Sequence, residues 1–310
     1  MAVVLSLKGG AAVQKKAKRD YGRWLWVLPV IALVVCLFIY PLASQIFYSF
    51  TNKTLIKPSY AIKGLANYIA ILEDPNFWSA LWTSVKWTVC SLFFQILLGF
   101  TAALALNKIR NRVAKQVYRI LLIIPWAFPT IAIAIIWKWL LNGIYGFLPT
   151  ILMNLGICDS LPQFLSTADL TLPTLVMVNV WFGFPLIMVN VLAALQTIPM
   201  DQYEAAQIDG ATSRHTFWYI TVPHIKNVIG LLVVLRTIWV FNSFDIIYMI
   251  TGGGPANVST TLPIYIYNLG WTNKFVGRSS AAAVILLLIL LTICAVYFGV
   301  LHKWEKEEKA

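Results

Sequence analysis

Three observations predict an all-α polytopic membrane protein with six transmembrane helices. Of the 310 residues, 59% are hydrophobic and only 12% charged, about half the charge of a soluble domain. Six apolar runs, at 24–49, 82–106, 118–141, 172–195, 225–250 and 280–301, each reach the ~20 residues that cross ~30 Å of hydrocarbon. They lack β-barrel alternation, and in lipid the backbone must satisfy its own hydrogen bonds, so the runs read as helices. The third observation is the placement of the basic residues. Sixteen of the 24 fall before the first run, between the second and third, between the fourth and fifth, or after the sixth, counting Arg119 and Lys226 at the very starts of the third and fifth runs. Only Lys53, Lys57, Lys63, Lys274 and Arg278 fall in the opposite set. The positive-inside rule then puts both termini in the cytoplasm, and an even span count agrees.

The chain divides into a basic segment 1–23, a transmembrane region 24–301 and a tail 302–310. The net charge of +12 is explained by this topology and needs no nucleic-acid partner; the partner it implies is the lipid bilayer. The first run follows basic residues, but at about 26 residues it is too long for a signal-peptide core. Pro125 and Pro129 predict kinking near the start of the third span. Gly143, Gly146, Pro149 and Pro162 mark turns around a short interfacial helix near 147–155. The apolar stretch 262–269 is too short to cross. Small residues from Ser279 to Ala283 allow close packing of the last helix. Cys36, Cys90, Cys158 and Cys294 are scattered and imply neither a disulfide nor a metal site.

The polar stretch 199–223 interrupts this apolar pattern. Asp201 is expected to cap a short helix, with Glu204 three residues on as in a capping box. Ala205 and Ala206 permit close approach of another surface. Gly210 fits a left-handed C′ position. Ser213 then caps a second short helix that stops before Pro223. Glu204, Asp209, Arg214 and His215 would face a partner.

Glu204-Ala205-Ala206, then Gly210, then Ile220-x-Val222-Pro223 resembles the signature of ABC-importer permeases, with Val222 in place of the usual leucine. Asn179-x-Trp181 with Gly183-x-Pro185, Phe241-x-x-Phe244-Asp245 and Thr251-Gly-Gly-Gly-Pro255 extend the resemblance to carbohydrate importers of the maltose/glycerol-phosphate type. It implies the type I ABC-importer transmembrane fold. It also implies that Glu204, Ala205, Ala206, Asp209, Gly210 and Arg214 form a coupling helix seated on a separate ATPase. Two such ATPase subunits, a second related permease (a heterodimer) and an extracytoplasmic solute-binding protein are the implied partners. The chain has no Gly-x-x-x-x-Gly-Lys-Ser/Thr run, so ATP and magnesium are expected on the ATPase and no cofactor here.

Asn179, Gly183, Leu186 and Asn190 share one face of the fourth span. They would line a cavity whose amides bond sugar hydroxyls; the alternative is helix packing through Gly183. The resemblance places substrate contacts at Asn179, Phe182, Gly183, Leu186, Arg236, Trp239 and Val240. Arg236, near the middle of the fifth span, must meet a substrate anion, a carboxylate on another helix or backbone carbonyls, because a charge there costs at least ~2.5 kcal/mol. It points toward an acidic sugar without identifying one. Trp239 is read as a sugar-stacking ring or a packing contact. Trp126 and Phe128 are further pocket candidates. Asp245 lies about 13.5 Å further along the axis and out of phase with Arg236, and is expected to brace the Gly-rich turn. Lys86 and Lys138 read as snorkelling side chains.

A self-sufficient secondary transporter or channel is the competing reading, but it needs acidic residues buried in mid-span, and only Asp245 is near. A membrane-embedded enzyme fits less well, since His215, His224 and His302 do not cluster with carboxylates at metal or catalytic spacing.

Overall fold

A computed structural model describes residues 22–307. The chain divides into two compact units, Met1–Gln45 and Ile46–Ala310. In the first, helix α1 (Gly22–Val34) runs through a π-helical segment (Val35–Ile39) into α2 (Tyr40–Ser49), whose last four residues belong to the second unit. From Trp26 to Gln45 every residue except Ser44 is exposed. A helix this apolar on every face belongs against lipid or another chain.

The second unit holds α3 (Ala66–Leu72), α4 (Pro75–Lys108), α5 (Arg112–Ala127), α6 (Thr130–Leu140), α7 (Phe147–Asn154) and α8 (Ala168–Leu195). Then come α9 (Met200–Ile208), α10 (Ser213–Thr216), α11 (Val222–Phe241), α12 (Asp245–Thr251), α13 (Leu262–Tyr267) and α14 (Val276–Glu307). The architecture is all-α: among the described residues the only β pairing is an isolated bridge between Thr51 and Ile62. Among the described residues, five helical stretches are long and apolar enough to cross a membrane, and the α5–α6 pair makes a sixth crossing when counted as one bent span. That pair bends by 92°, well beyond the local kink that Pro125 and Pro129 predict. Pro129 forces Phe128 into extended backbone at ψ 150°, so the helix stops there and restarts.

The centre of the bundle is the α4–α8 pair, the most extensive helix contact of the fold. On α4 the Asp74 side chain caps Asn76 N–H at 2.9 Å, with Pro75 opening the first turn. The buried face of α4 carries Ser84, Thr88, Ser91, Gln95, Gly99 and Ala103. These recur every three or four residues, and the small ones among them let the backbones close. At Gly99 a β-carbon would sit 2.7 Å from Ile187 Cβ, so α8 tolerates only glycine there. Around this seam Leu175, Val178 and Ile247 fill one cluster, Met188, Val191 and Ile225 a second, and Phe77, Leu262 and Ala282 a third.

The interfacial helix expected near 147–155 is α7, and the short 262–269 stretch is α13. Ser84 Oγ accepts the Leu262 N–H at 2.8 Å and ties α13 to α4. The Tyr265 hydroxyl donates to Asp74 Oδ2 at 2.6 Å. Partial burial pushes the Asp74 carboxyl up, but hydrogen bonds from Tyr265 and Asn76 outweigh it and hold it below its ordinary value. Lys138 does more than snorkel: its Nζ donates to Met249 O at 3.2 Å and joins α6 to α12.

The Gly252–Pro255 turn is held by Thr251, Ser259 and Thr260, not by Asp245. Ser259 Oγ donates to Gly254 O at 2.7 Å, and Thr260 Oγ1 donates to Gly253 O at 3.1 Å. Asp245 instead opens α12, after a break at Asn242–Phe244 that sequence reading does not anticipate. The carbonyl of Val240, just before the break, accepts the buried Trp87 indole N–H at 2.9 Å. The break is thus pinned to α4.

Candidate functional site

Two regions gather the residues that the sequence singles out. The first is a cavity of about 260 Å³ within the helix bundle. Helix α8 contributes Asn179 and Phe182, and α11 contributes Arg236, Trp239 and Val240. Asn242, Ser243 and Phe244 come from the break, Asp245 and Ile246 from α12, and Thr130 from the start of α6. The fold brings together five of the seven pocket residues expected from sequence: Asn179, Phe182, Arg236, Trp239 and Val240. Gly183 and Leu186 are not in the wall. Neither are Trp126 and Phe128, which are exposed.

Gly183 has a different part. A β-carbon there would collide with Arg236 Nη2 and the Gln95 amide. Its absence makes room for a buried polar knot. Gln95 Oε1 accepts from Arg236 Nε at 3.0 Å and from Nη2 at 2.6 Å, and Gln95 Nε2 donates to Asn179 O at 2.9 Å. Arg236 and Asn179 are each 4% exposed and Gln95 is fully buried. Three helices therefore meet at one glutamine, a residue that sequence reading passes over. Its signal was present in the Ser91, Gln95, Gly99, Ala103 spacing, which marks a packed face on α4. The guanidinium carbon also stands 5.9 Å from the Trp239 ring centroid, within range of a cation–π contact. Asn190 turns back on its own helix, donating to Leu186 O at 2.8 Å, and contributes nothing to the cavity.

The second region is the element 199–223. Helix α9 starts after Pro199, whose extended backbone begins it without a side-chain cap, and Asp201 lies inside the first turn. The expected Asp201–Glu204 capping box does not form, because the extended Pro199 is the N-cap and the helix starts two residues earlier. The end is as expected. Gly210 has φ +74°, and Ala211 N–H reaches back to Ala206 O at 2.9 Å, closing the helix in a Schellman turn.

The next cap is Thr212, not Ser213. The Thr212 hydroxyl accepts the His215 N–H at 3.4 Å and pairs with His215 Nδ1 at 2.9 Å. The second helix also does not stop before Pro223. From α10 it widens into a π-helical segment, Phe217–Thr221, and continues as α11 with Pro223 in its first turn. The wider turn accommodates a residue that lacks an N–H. Tyr203 OH meets Thr221 Oγ1 at 2.9 Å and braces α9 against this turn.

Glu204, Ala205, Asp209, Gly210 and Arg214 are exposed and Ala206 is half-buried. No residue of α9 is buried. Ile208 is 87% exposed and Tyr219 is 77% exposed, and neither was singled out by sequence reading. Ala206, Gly210, His215, Tyr219 and Ile220 line a groove of about 430 Å³ on one side of the element. Exposed apolar groups rimmed by charge, on a segment with no burial of its own, are the anatomy of a docking surface. Among the described residues, no group of His, Cys, Asp or Glu side chains could hold a metal ion.

This architecture has known relatives. Residues 95–303 match the family described as "Binding-protein-dependent transport system inner membrane component". The chain is 33% identical over 286 residues to the trehalose/maltose transport system permease protein MalF of Thermococcus litoralis, covering 92% of this chain and 94% of that one. It is 31% identical to the sulfoquinovosyl glycerol transport system permease protein SmoG of Agrobacterium fabrum over 89% of both chains. A chain in the crystal structure of a bacterial alginate ABC transporter, in complex with its alginate pentasaccharide-bound periplasmic protein, superposes with TM-score 0.80 at 22% identity. That match covers 92% of this chain and 95% of the other. The two-thirds of the sequence that carries both polar regions thus places the chain in the family of binding-protein-dependent transport system inner membrane components, the permease subunits of ABC importers.

Proposed function

We propose that this permease is one of two transmembrane subunits of an ATP-driven importer that takes a carbohydrate into the cytoplasm. One observation carries the reading: a single chain pairs an uncovered Glu204–Gly210 corner with a polar cavity, and one helical run joins them. The relatives named for trehalose/maltose and sulfoquinovosyl glycerol support the carbohydrate class. In the cavity, Asn179 and Arg236 offer hydrogen-bond donors to hydroxyls, and the exposed Trp239 ring offers a stacking face. Phe182 and Val240 shape the wall. Gly183 acts from behind it, and Leu186 is assigned no contact in this conformation.

Glu204, Ala205, Ala206, Asp209, Gly210 and Arg214 form the proposed seat for one of two ATPase subunits, which bring ATP and magnesium. A second, related permease completes a heterodimer, and an extracytoplasmic binding protein delivers the sugar. Both termini face the cytoplasm in this reading, which the distribution of basic residues supports. Transport follows from two states of the complex that bind ATP and solute with different affinity.

Glu204→Lys in the assembled importer tests the seat. Reversing a central interface charge removes ~2 kcal/mol or more of binding, about 30-fold. Uptake and ATPase co-purification should fall by that factor, with the permease still present in the membrane at its normal level. Unchanged uptake with an ATPase still attached would sink the assignment.

A further inference from the structure

The cavity wall holds more unmet donors than a neutral wall needs. Arg236 is 4% exposed, and its hydrogen bonds run to the neutral Gln95 Oε1, through Nε and Nη2. Two of five guanidinium N–H groups are thereby matched. The one carboxylate in the wall is Asp245, which is exposed at the start of α12 and makes no ion pair with Arg236 among the described residues. Asn179 is equally buried, and its Nδ2 has no hydrogen-bond partner. Its backbone carbonyl is already taken by Gln95. A buried amide N–H and a buried cation with no ion-pair partner among the described residues therefore line one cavity, and each is costly when unmet.

Water or a sugar hydroxyl would match the N–H groups but leave the charge. An anionic oxygen group matches both, because the planar guanidinium fork suits a carboxylate or sulfonate. We propose that the transported sugar is acidic and that its carboxylate or sulfonate seats on Arg236, with Asn179 Nδ2 donating a further bond. Gln95 is a positioning residue: it holds the guanidinium by one edge and leaves the rest of the fork for the ligand. Gly183 leaves the space this arrangement occupies. Asp245 disfavours a second negative charge, so the bound unit carries one.

This inference rests on the carbohydrate reading, and the test separates the two. The full chain, assembled in its importer and reconstituted in nanodiscs, is titrated calorimetrically with D-glucuronate, D-galacturonate, their neutral uronamides, and acetate. At least one acid should bind about 10-fold or more tightly than its amide, the scale of a charged hydrogen bond over a neutral one. Gln95→Glu keeps the side-chain size and gives Arg236 a counter-charge, while removing the donor to Asn179 O; it should abolish that preference. Acids that bind no better than their amides, or do not bind at all, overturn the proposal and leave a neutral-carbohydrate importer standing. A preference that survives Gln95→Glu also overturns it. Acetate binding as tightly as the uronates would instead keep the anion seat and sink the carbohydrate reading. The acid–amide comparison needs no variant, so a folding defect in Gln95→Glu does not shield the proposal.

Discussion

The cavity and the 199–223 corner differ in how their residues are held. In the cavity, Arg236, Gln95 and Asn179 are buried and tied to one another across three helices. In the corner, α9 buries nothing and its charged side chains stand in the open. A region that closes on itself is specified by its own chain. A region left open keeps its shape through backbone devices, the Gly210 turn and the Tyr203–Thr221 brace, and gives its side chains to something else. Mutations should therefore affect stability in the cavity and assembly in the corner.

The sharpest way to break this contrast is Gly183→Val. The added side chain must displace Arg236 and the Gln95 amide, and overpacking of this kind costs about 1–3 kcal/mol. The purified chain should melt lower, and uptake should be lost in the complex. A normal melting curve would mean the knot is not packed as described. Gly210→Val is the matching change in the corner. A β-carbon meets nothing within 4 Å there, so the cost is the φ of +74° alone, about 1–2 kcal/mol. The melting temperature should fall only by the modest amount that this cost implies, while ATPase attachment and uptake fall several-fold. A large drop in melting temperature would blur the distinction. The smallest effect on assembly is expected from Trp87→Phe, which strands Val240 O at the helix break and leaves a void beside the fully buried indole's place. A loss of about 1–3 kcal/mol should appear as a lower denaturation midpoint, with ATPase attachment unchanged.

Sequence periodicity reads what is local. Run length gives the spans, and Gly210 is recognisable because a left-handed helix end needs glycine. Arg236 stands out because a charge in an apolar run always does. Gln95 does not, since its meaning depends on Asn179 and Arg236, 84 and 141 residues away. The break at Asn242–Phe244 also escapes, because neither proline nor glycine marks it and the Trp87 donor that pins it lies on α4. Pro223 misleads for a related reason: a proline predicts a stop, but the π-helical turn before it lets the helix pass. The caps shift by one residue, from Ser213 to Thr212, because two neighbouring hydroxyls are equivalent in sequence and only backbone geometry chooses between them.

That uninterrupted passage through Pro223 has a mechanical consequence. From Ser213 to Phe241 the chain is one helical rod, with Arg214 near its first residue and Arg236, Trp239 and Val240 at its far end. The 22 residues from Arg214 to Arg236 span about 33 Å. A rod of that length needs no relay of side chains to carry a signal. Tilt it at the corner by a few degrees and the far end swings by an ångström or two, at the residues that wall the cavity. The rod ends at the break at Asn242–Phe244, and the Trp87 bond to Val240 O couples that end to α4.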